Sequence, residues 1–253
     1  MAEVPDRLNE TLRLSIRRHT YESVKVLALY WKDGHRGYQN EGREVTNMFT
    51  NEFQYPAEQF AIPSSNASQH RDCSGREERG IALDSYYGGH VDKNDDKHER
   101  QERRSSVWAG HSTGEPTPQW FRIQDQLDDL KVSNTDVFLL LDCRFAAQAA
   151  RAHEALGGRF EILAASTRGM ETPSPGDTSF TTILLSEIRK TLNNEDLIDV
   201  KDLHGRICNP RSHLWATPVH ISLRAGQRPI RLQPLAQTSR SELIRKYVDA
   251  DDK

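Results

Sequence analysis

The run Val137-Phe138-Leu139-Leu140-Leu141, followed at once by Asp142-Cys143-Arg144, constrains this chain more than any other feature. Five consecutive apolar residues that stop at polar ones read as a strand buried on both faces, the kind found in parallel sheets covered by helices. Such a strand delivers its polar groups at its carboxyl end, where open α/β sheets hold their ligands. A second segment, Ile81 to Tyr87 followed by Gly88-Gly89-His90, reads as a strand opening into a glycine turn with a histidine at its tip. A histidine and a cysteine at strand ends are a base and a nucleophile by residue type.

From Val24 onward, short apolar runs alternate with longer polar stretches. This is the rhythm of βαβ units, and it predicts a mostly parallel sheet with helices on both faces. A chain of 253 residues can bury a sizeable core as one domain. We expect an N-terminal segment at 1–22, one domain at 23–236 and a charged tail at 237–253. Leu8, Leu12, Leu14 and Ile16 suffice for a short amphipathic helix in the first segment. Two stretches break the rhythm: residues 64–80, polar and without helical periodicity, and the long charged segment 91–119, which includes Asp92 to Arg104. A loop of that length in a compact domain is either functional or without fixed structure. After it, Trp120, Ile123, Leu127 and Leu130 form an apolar stripe that predicts a helix before the cysteine strand.

Charge excludes some classes of function. With 34 basic against 37 acidic residues, nothing favours nucleic acid or an anionic membrane surface. No apolar run approaches the roughly 20 residues that span a bilayer, and the N-terminus lacks the apolar core of a signal peptide. Three widely spaced cysteines, Cys73, Cys143 and Cys208, argue against a disulfide framework or a zinc cluster and fit a reducing compartment. The expected location is the cytoplasm.

The blocks in their order resemble caspase-like cysteine peptidases, most closely the metacaspase-related caspase domains common in fungi. His90 and Cys143 stand 53 residues apart, near the spacing of about 50 in caspases. Residues 24–31 look like the first strand, Gly42 to Phe53 the first helix and Phe60 to Pro63 the second strand. Residues 86–90 look like the histidine strand, and 139–151 the cysteine strand with its following helix. Residues 161–166 look like the fifth strand, 172–181 enter another helix, and 217–223 close the sheet. The resemblance implies a three-layer α/β fold with a mostly parallel six-stranded sheet. It also implies a cysteine endopeptidase acting on peptide or protein substrates without a cofactor or, if inactive, a protein-interaction module in a cell-death or immunity pathway.

In that reading Cys143 attacks the scissile carbonyl, His90 carries the proton, and the N–H groups of Val91 and Cys143 hold the oxyanion. Val91 stands where the family usually has glycine, and a β-branched residue restricts the backbone there. Two registers are open for the cysteine block. The caspase register makes Cys143 the nucleophile. The metacaspase register aligns Asp142 with the family's aspartate, which shapes a pocket for a basic residue, and puts Arg144 on the nucleophile. The fungal domains it resembles usually show two consecutive cysteines after the aspartate, which favours the second register, and the FAAQAAR that follows also fits it. Arginine stays protonated and cannot be a nucleophile, so the alternative function is a pseudopeptidase that binds protein partners.

Further residues carry less. Asp84 interrupts the apolar pattern of the histidine strand, where an unpaired buried carboxylate is costly. Asp92, Asp95 and Asp96 invite a calcium reading but alternate with Lys93, Lys97 and Arg100, as a solvated loop does. Cys73, Cys208, His98, His111, His153 and His220 read as structural or surface residues, and Trp31, Trp108, Trp120 and Trp215 as core or edge aromatics. Arg103 or Arg104 would be a place for processing cleavage. A distant alternative is a flavodoxin-like or receiver-type domain, with Asp142 as phosphoacceptor or metal ligand.

Overall fold

The apolar run is the fourth of six strands in one sheet. A computed structural model describes residues 21, 23–62, 81–93, 106–109, 136–143, 158–167, 174–209, 214–223 and 228–235; for 81–85, 90–93 and 106–109 it describes the backbone alone. Strands β1 (Ser23–Trp31), β2 (Ala57–Ile62), β3 (Ile81–Gly88), β6 (Asp136–Asp142), β7 (Phe160–Ala164) and β9 (Val219–Ser222) form the sheet in the order β2-β1-β3-β6-β7-β9. The first five are parallel and β9 is antiparallel to β7. The chain order reverses between β1 and β3, the switch that leaves a crevice at the carboxyl edge of doubly wound sheets. Two small antiparallel pairs flank it: β4 (His90–Lys93) with β5 (Ser106–Ala109), and β8 (Ile198–Asp199) with β10 (Arg231–Leu232).

Alternation along β6 divides the core. Phe138 and Leu140 face the layer built by helices α1 (Arg36–Glu52), α2 (Phe180–Leu192) and α3 (Val200–Ile207), among Val45, Met48, Phe49, Leu184, Ile188 and Leu203. Val137, Leu139 and Leu141 face the other side, among Trp31, Tyr87, Phe160 and Ile162. They are as buried as the first set, as the middle layer of three requires. The expected helices at 120–130 and 144–151 lie outside the described residues, as do 1–20, 63–80 and the tail. The architecture is therefore the expected α/β class with a mostly parallel six-stranded sheet, and all three described helices pack on one face.

Caps explain where the helices start. Ser179 Oγ accepts from the Thr182 N–H at 3.2 Å and Asp199 Oδ1 from the Lys201 N–H at 3.0 Å, as N-cap residues do. His35 Nδ1 accepts from the Gly37 N–H at 3.1 Å, so α1 begins at Arg36 rather than at Gly42. Its first turn is largely polar, which hid it from a reading based on apolar spacing. β2 likewise begins at Ala57 rather than Phe60, because Glu58 and Gln59 are exposed on an edge strand. Segment 91–119 holds most of one hairpin, where only a charged loop was expected. Asp84 occupies the middle of β3, its Cα opposite Val26 and Phe138.

At the opposite edge of the sheet, a clamp ties β6 to β7. Arg159 Nε donates to Asp136 Oδ2 at 2.8 Å, and its Nη1 donates to the Pro229 carbonyl at 2.9 Å. Tyr21 Oη donates to Asp136 Oδ2 at 2.9 Å and accepts from Arg159 Nη2 at 2.9 Å. Removing the guanidinium takes the charged partner from a largely buried carboxylate, which keeps the Tyr21 hydroxyl and the Arg159 backbone N–H. Arg159→Ala should therefore lower unfolding free energy by about 2 kcal/mol, read from denaturant midpoints; a change no larger than at an exposed arginine would show that the clamp is idle.

Candidate functional site

At the carboxyl edge, β3 and β6 end side by side. Gly88 is the Cα partner of Asp142, and the Gly89 N–H donates to the Asp142 carbonyl at 3.3 Å. The chain then turns into β4 at His90. Backbone pairing thus brings Gly88 and Gly89 alongside Asp142, while His90 pairs with Ala109 in the hairpin. For His90 and Val91 the backbone alone is described, and Arg144 lies outside the described residues.

The two glycines are required by the tyrosines before them. A Cβ on Gly88 would lie 2.6 Å from Tyr86 Oη, and one on Gly89 would lie 2.5 Å from Tyr87 Oη. Tyr87 is fully buried on the Cys143 side of the sheet, where its Oη accepts from Trp31 Nε1 at 3.0 Å. Tyr86 lies on the helix side, with Oη 3.1 Å from Thr181 Oγ1.

Asp142 and Cys143 part company at the strand end. The Asp142 carboxylate turns to the start of α2, accepting at Oδ2 from Thr181 Oγ1 at 2.6 Å and from the Thr181 N–H at 3.2 Å. Cys143 packs with Leu139, Leu141 and Tyr87 in the other cluster and is 1 % exposed. Burial, with the Asp142 charge adding to it, pushes its thiol well above the ordinary range. A thiol reacts as thiolate, and burial of this kind disfavours the thiolate.

A residue the sequence reading passed over completes the site. Glu41, on α1, is 7 % exposed. Its Oε1 accepts from Ser179 Oγ at 2.5 Å, while its Oε2 has no hydrogen-bond partner of normal geometry among the described residues. Burial first, then the Asp142 charge, raises the Glu41 carboxyl from an ordinary 4.5 to about 7; the Ser179 hydroxyl and Gly176 amide offset this only partly. Burial raises Asp142 to about 6 against the Thr181 bonds. Burial thus favours the neutral form of both carboxyls. The sequence did carry a sign of Glu41: it falls on the stripe Tyr38, Val45, Met48 and Phe49. Starting the helix at Gly42 left it out.

The remaining candidates fall elsewhere. Cys208 Sγ lies 3.3 Å from His204 Nε2, which also meets the Pro218 carbonyl at 3.1 Å. His220 Nε2 is 2.8 Å from Glu161 Oε2, whose other oxygen accepts from the Ile230 N–H. Trp31 is core, whereas Trp215 is 78 % exposed. Among the described residues no three His, Cys, Asp or Glu groups are placed to hold a metal ion. Asp95 and Asp96 lie outside those residues, as do Cys73, His98, His111, His153 and Trp120. Among the described residues no helix is long and apolar enough to cross a membrane.

Fold and site together define an α/β domain with a mostly parallel six-stranded sheet and a buried acidic site at its carboxyl edge. No protein-family model matches the chain, and no curated protein matches it in sequence.

Raised carboxyl pKa values have a definite sign in stability. The folded state holds protons that the unfolded state releases above about pH 4.5, so this contribution is full in acid and is lost as pH rises toward 7. Melting curves of the native chain and Glu41→Gln should therefore diverge between about pH 5 and pH 8. The variant should gain roughly 2–3 kcal/mol relative to the native chain across that span; parallel curves would mean that Glu41 is not strained.

Proposed function

We propose that this chain is a caspase- or metacaspase-like domain that binds polypeptide through a basic side chain at Asp142 and Glu41, and that it does not cleave what it binds. The observation that carries this reading is the opposition of Asp142 and Cys143 across the sheet. It supports the metacaspase register, in which the aspartate shapes the pocket and the nucleophile's place, two residues on, falls to Arg144 rather than to a cysteine. The acidity of the site supports a cationic guest: a guanidinium or ammonium group would supply the N–H donors that an unpartnered carboxylate oxygen lacks. Polypeptides offer such groups as arginine and lysine.

The second reading is an active endopeptidase, with Cys143 attacking, His90 carrying the proton and the N–H groups of Val91 and Cys143 holding the oxyanion. The pairing of Gly88 with Asp142 favours it, since His90 and Cys143 follow closely on adjoining strand ends. Against it stands the buried, protonated thiol. A receiver-type reading is weakened by Asp142 itself, whose carboxylate is already engaged by the hydroxyl and N–H of Thr181.

Restoring the nucleophile separates these readings. The native chain, Arg144→Cys and Cys143→Ala should be assayed on fluorogenic peptides ending in Arg, Lys or Asp, with and without calcium. We expect the native chain to be silent and Arg144→Cys to cleave after Arg or Lys. Cleavage by the native chain that is lost in Cys143→Ala would establish the active enzyme instead.

A further inference from the structure

A second group of reactive side chains lies away from Asp142, where α3 ends and the chain sets out toward β9. His204 is in the last turn of α3 and Cys208 is its C-cap. Four residues apart, they share one face of the helix. His204 Nε2 is 3.3 Å from Cys208 Sγ and 3.1 Å from the Pro218 carbonyl oxygen, and Cys208 Sγ is 3.9 Å from that same oxygen. Three atoms with these separations share a centre about 2 Å from each, close to the distances at which zinc holds nitrogen, oxygen and sulfur. Both side chains are half-buried, and Cys208 is a free thiol.

The surroundings suit a cation. The carbonyl end of α3 carries the negative pole of the helix. Arg206, the nearest basic residue along the chain, is drawn off to Glu195 at 2.6 Å. The His220 ring lies 5.9 Å from that of His204, but its Nε2 is turned to Glu161 at 2.8 Å, so it stays outside the set. Sulfur and imidazole nitrogen select a borderline transition-metal ion over calcium or magnesium, which take oxygen. We propose that His204, Cys208 and the Pro218 carbonyl form a site for one zinc-class divalent cation, with water as its fourth ligand. As the ion enters, the Cys208 thiol proton leaves to solvent and the remaining His204 proton sits on Nδ1. The ion clips the end of α3 to the start of β9 and closes the connection between them, which carries the exposed Trp215. This site goes beyond the polypeptide-binding reading and does not depend on it.

The test uses Co²⁺ as a spectroscopic probe and Zn²⁺ as its competitor, on the full chain with its thiols reduced. We expect a thiolate-to-cobalt charge-transfer band that saturates at one ion per chain and is displaced by Zn²⁺. Cys208→Ala should abolish the band, whereas Cys73→Ala and Cys143→Ala should keep it. His204→Gln keeps an N–H for the Pro218 carbonyl but loses the ligating nitrogen. It should weaken Zn²⁺ binding at least about tenfold, since even outer-shell changes cost that much. Saturating Zn²⁺ should also slow alkylation of Cys208 by iodoacetamide in the native chain, mapped by peptide mass spectrometry. That readout decides alone if the variants do not fold. A band that survives Cys208→Ala, affinity indifferent to His204→Gln, or Cys208 alkylation unchanged by Zn²⁺ would each overturn the site.

Discussion

The structure depends on how β6 is held at its two ends. Its interior is apolar on both faces, so the hydrophobic effect places it at the centre of the sheet but says little about its register. A one-residue slip would still bury Val137 to Leu141, merely exchanging faces. What distinguishes the registers is the pair of carboxylates that bracket the run. Asp136 is clasped by Arg159 and Tyr21 at one edge, and Asp142 by Thr181 at the other. A slip would strand both, at a cost of several kcal/mol each. The site therefore inherits its geometry from a strand pinned like a beam at both supports.

That pinning decides which chemistry the strand end offers. Placing Asp142 on the helix face places Cys143 on the other, because side chains of an extended chain alternate. The same rule sends Tyr86 and Tyr87 to opposite faces two strand-widths of hydrogen bonding away from β7. The edge is thus two-sided. One side gathers hydroxyls and carboxyls beneath α1 and α2; the other, among the described residues, is apolar but for the Tyr87 hydroxyl with its Trp31 donor and the Cys143 thiol.

Elements buried on both faces were legible in the sequence, since length and unbroken apolarity describe them fully. β6 and β7 appear where the apolar runs stand. Elements at the margin were not. β2 shows polar residues to solvent along an edge, and β4 and β5 form a hairpin within a segment whose charge hid its pairing. Aspartate at the cysteine strand's end was legible as a site residue. Glu41 was not, because a carboxyl on an apolar stripe looks like the end of the stripe until the partner across the sheet is known. Ser179 and Thr181 likewise read as a helix entrance, which they are; that they also bind carboxyls depends on contacts 138 and 39 residues away.

Ser179 has two obligations at once: it caps α2 through the Thr182 N–H and it satisfies Glu41. Replacing it would fray a helix whose Leu184 and Ile188 lie in the core, quite apart from any effect on the site. Selection for folding alone is then enough to preserve it. The acidic site thus draws its hydroxyls from a helix entrance that the fold needs in any case.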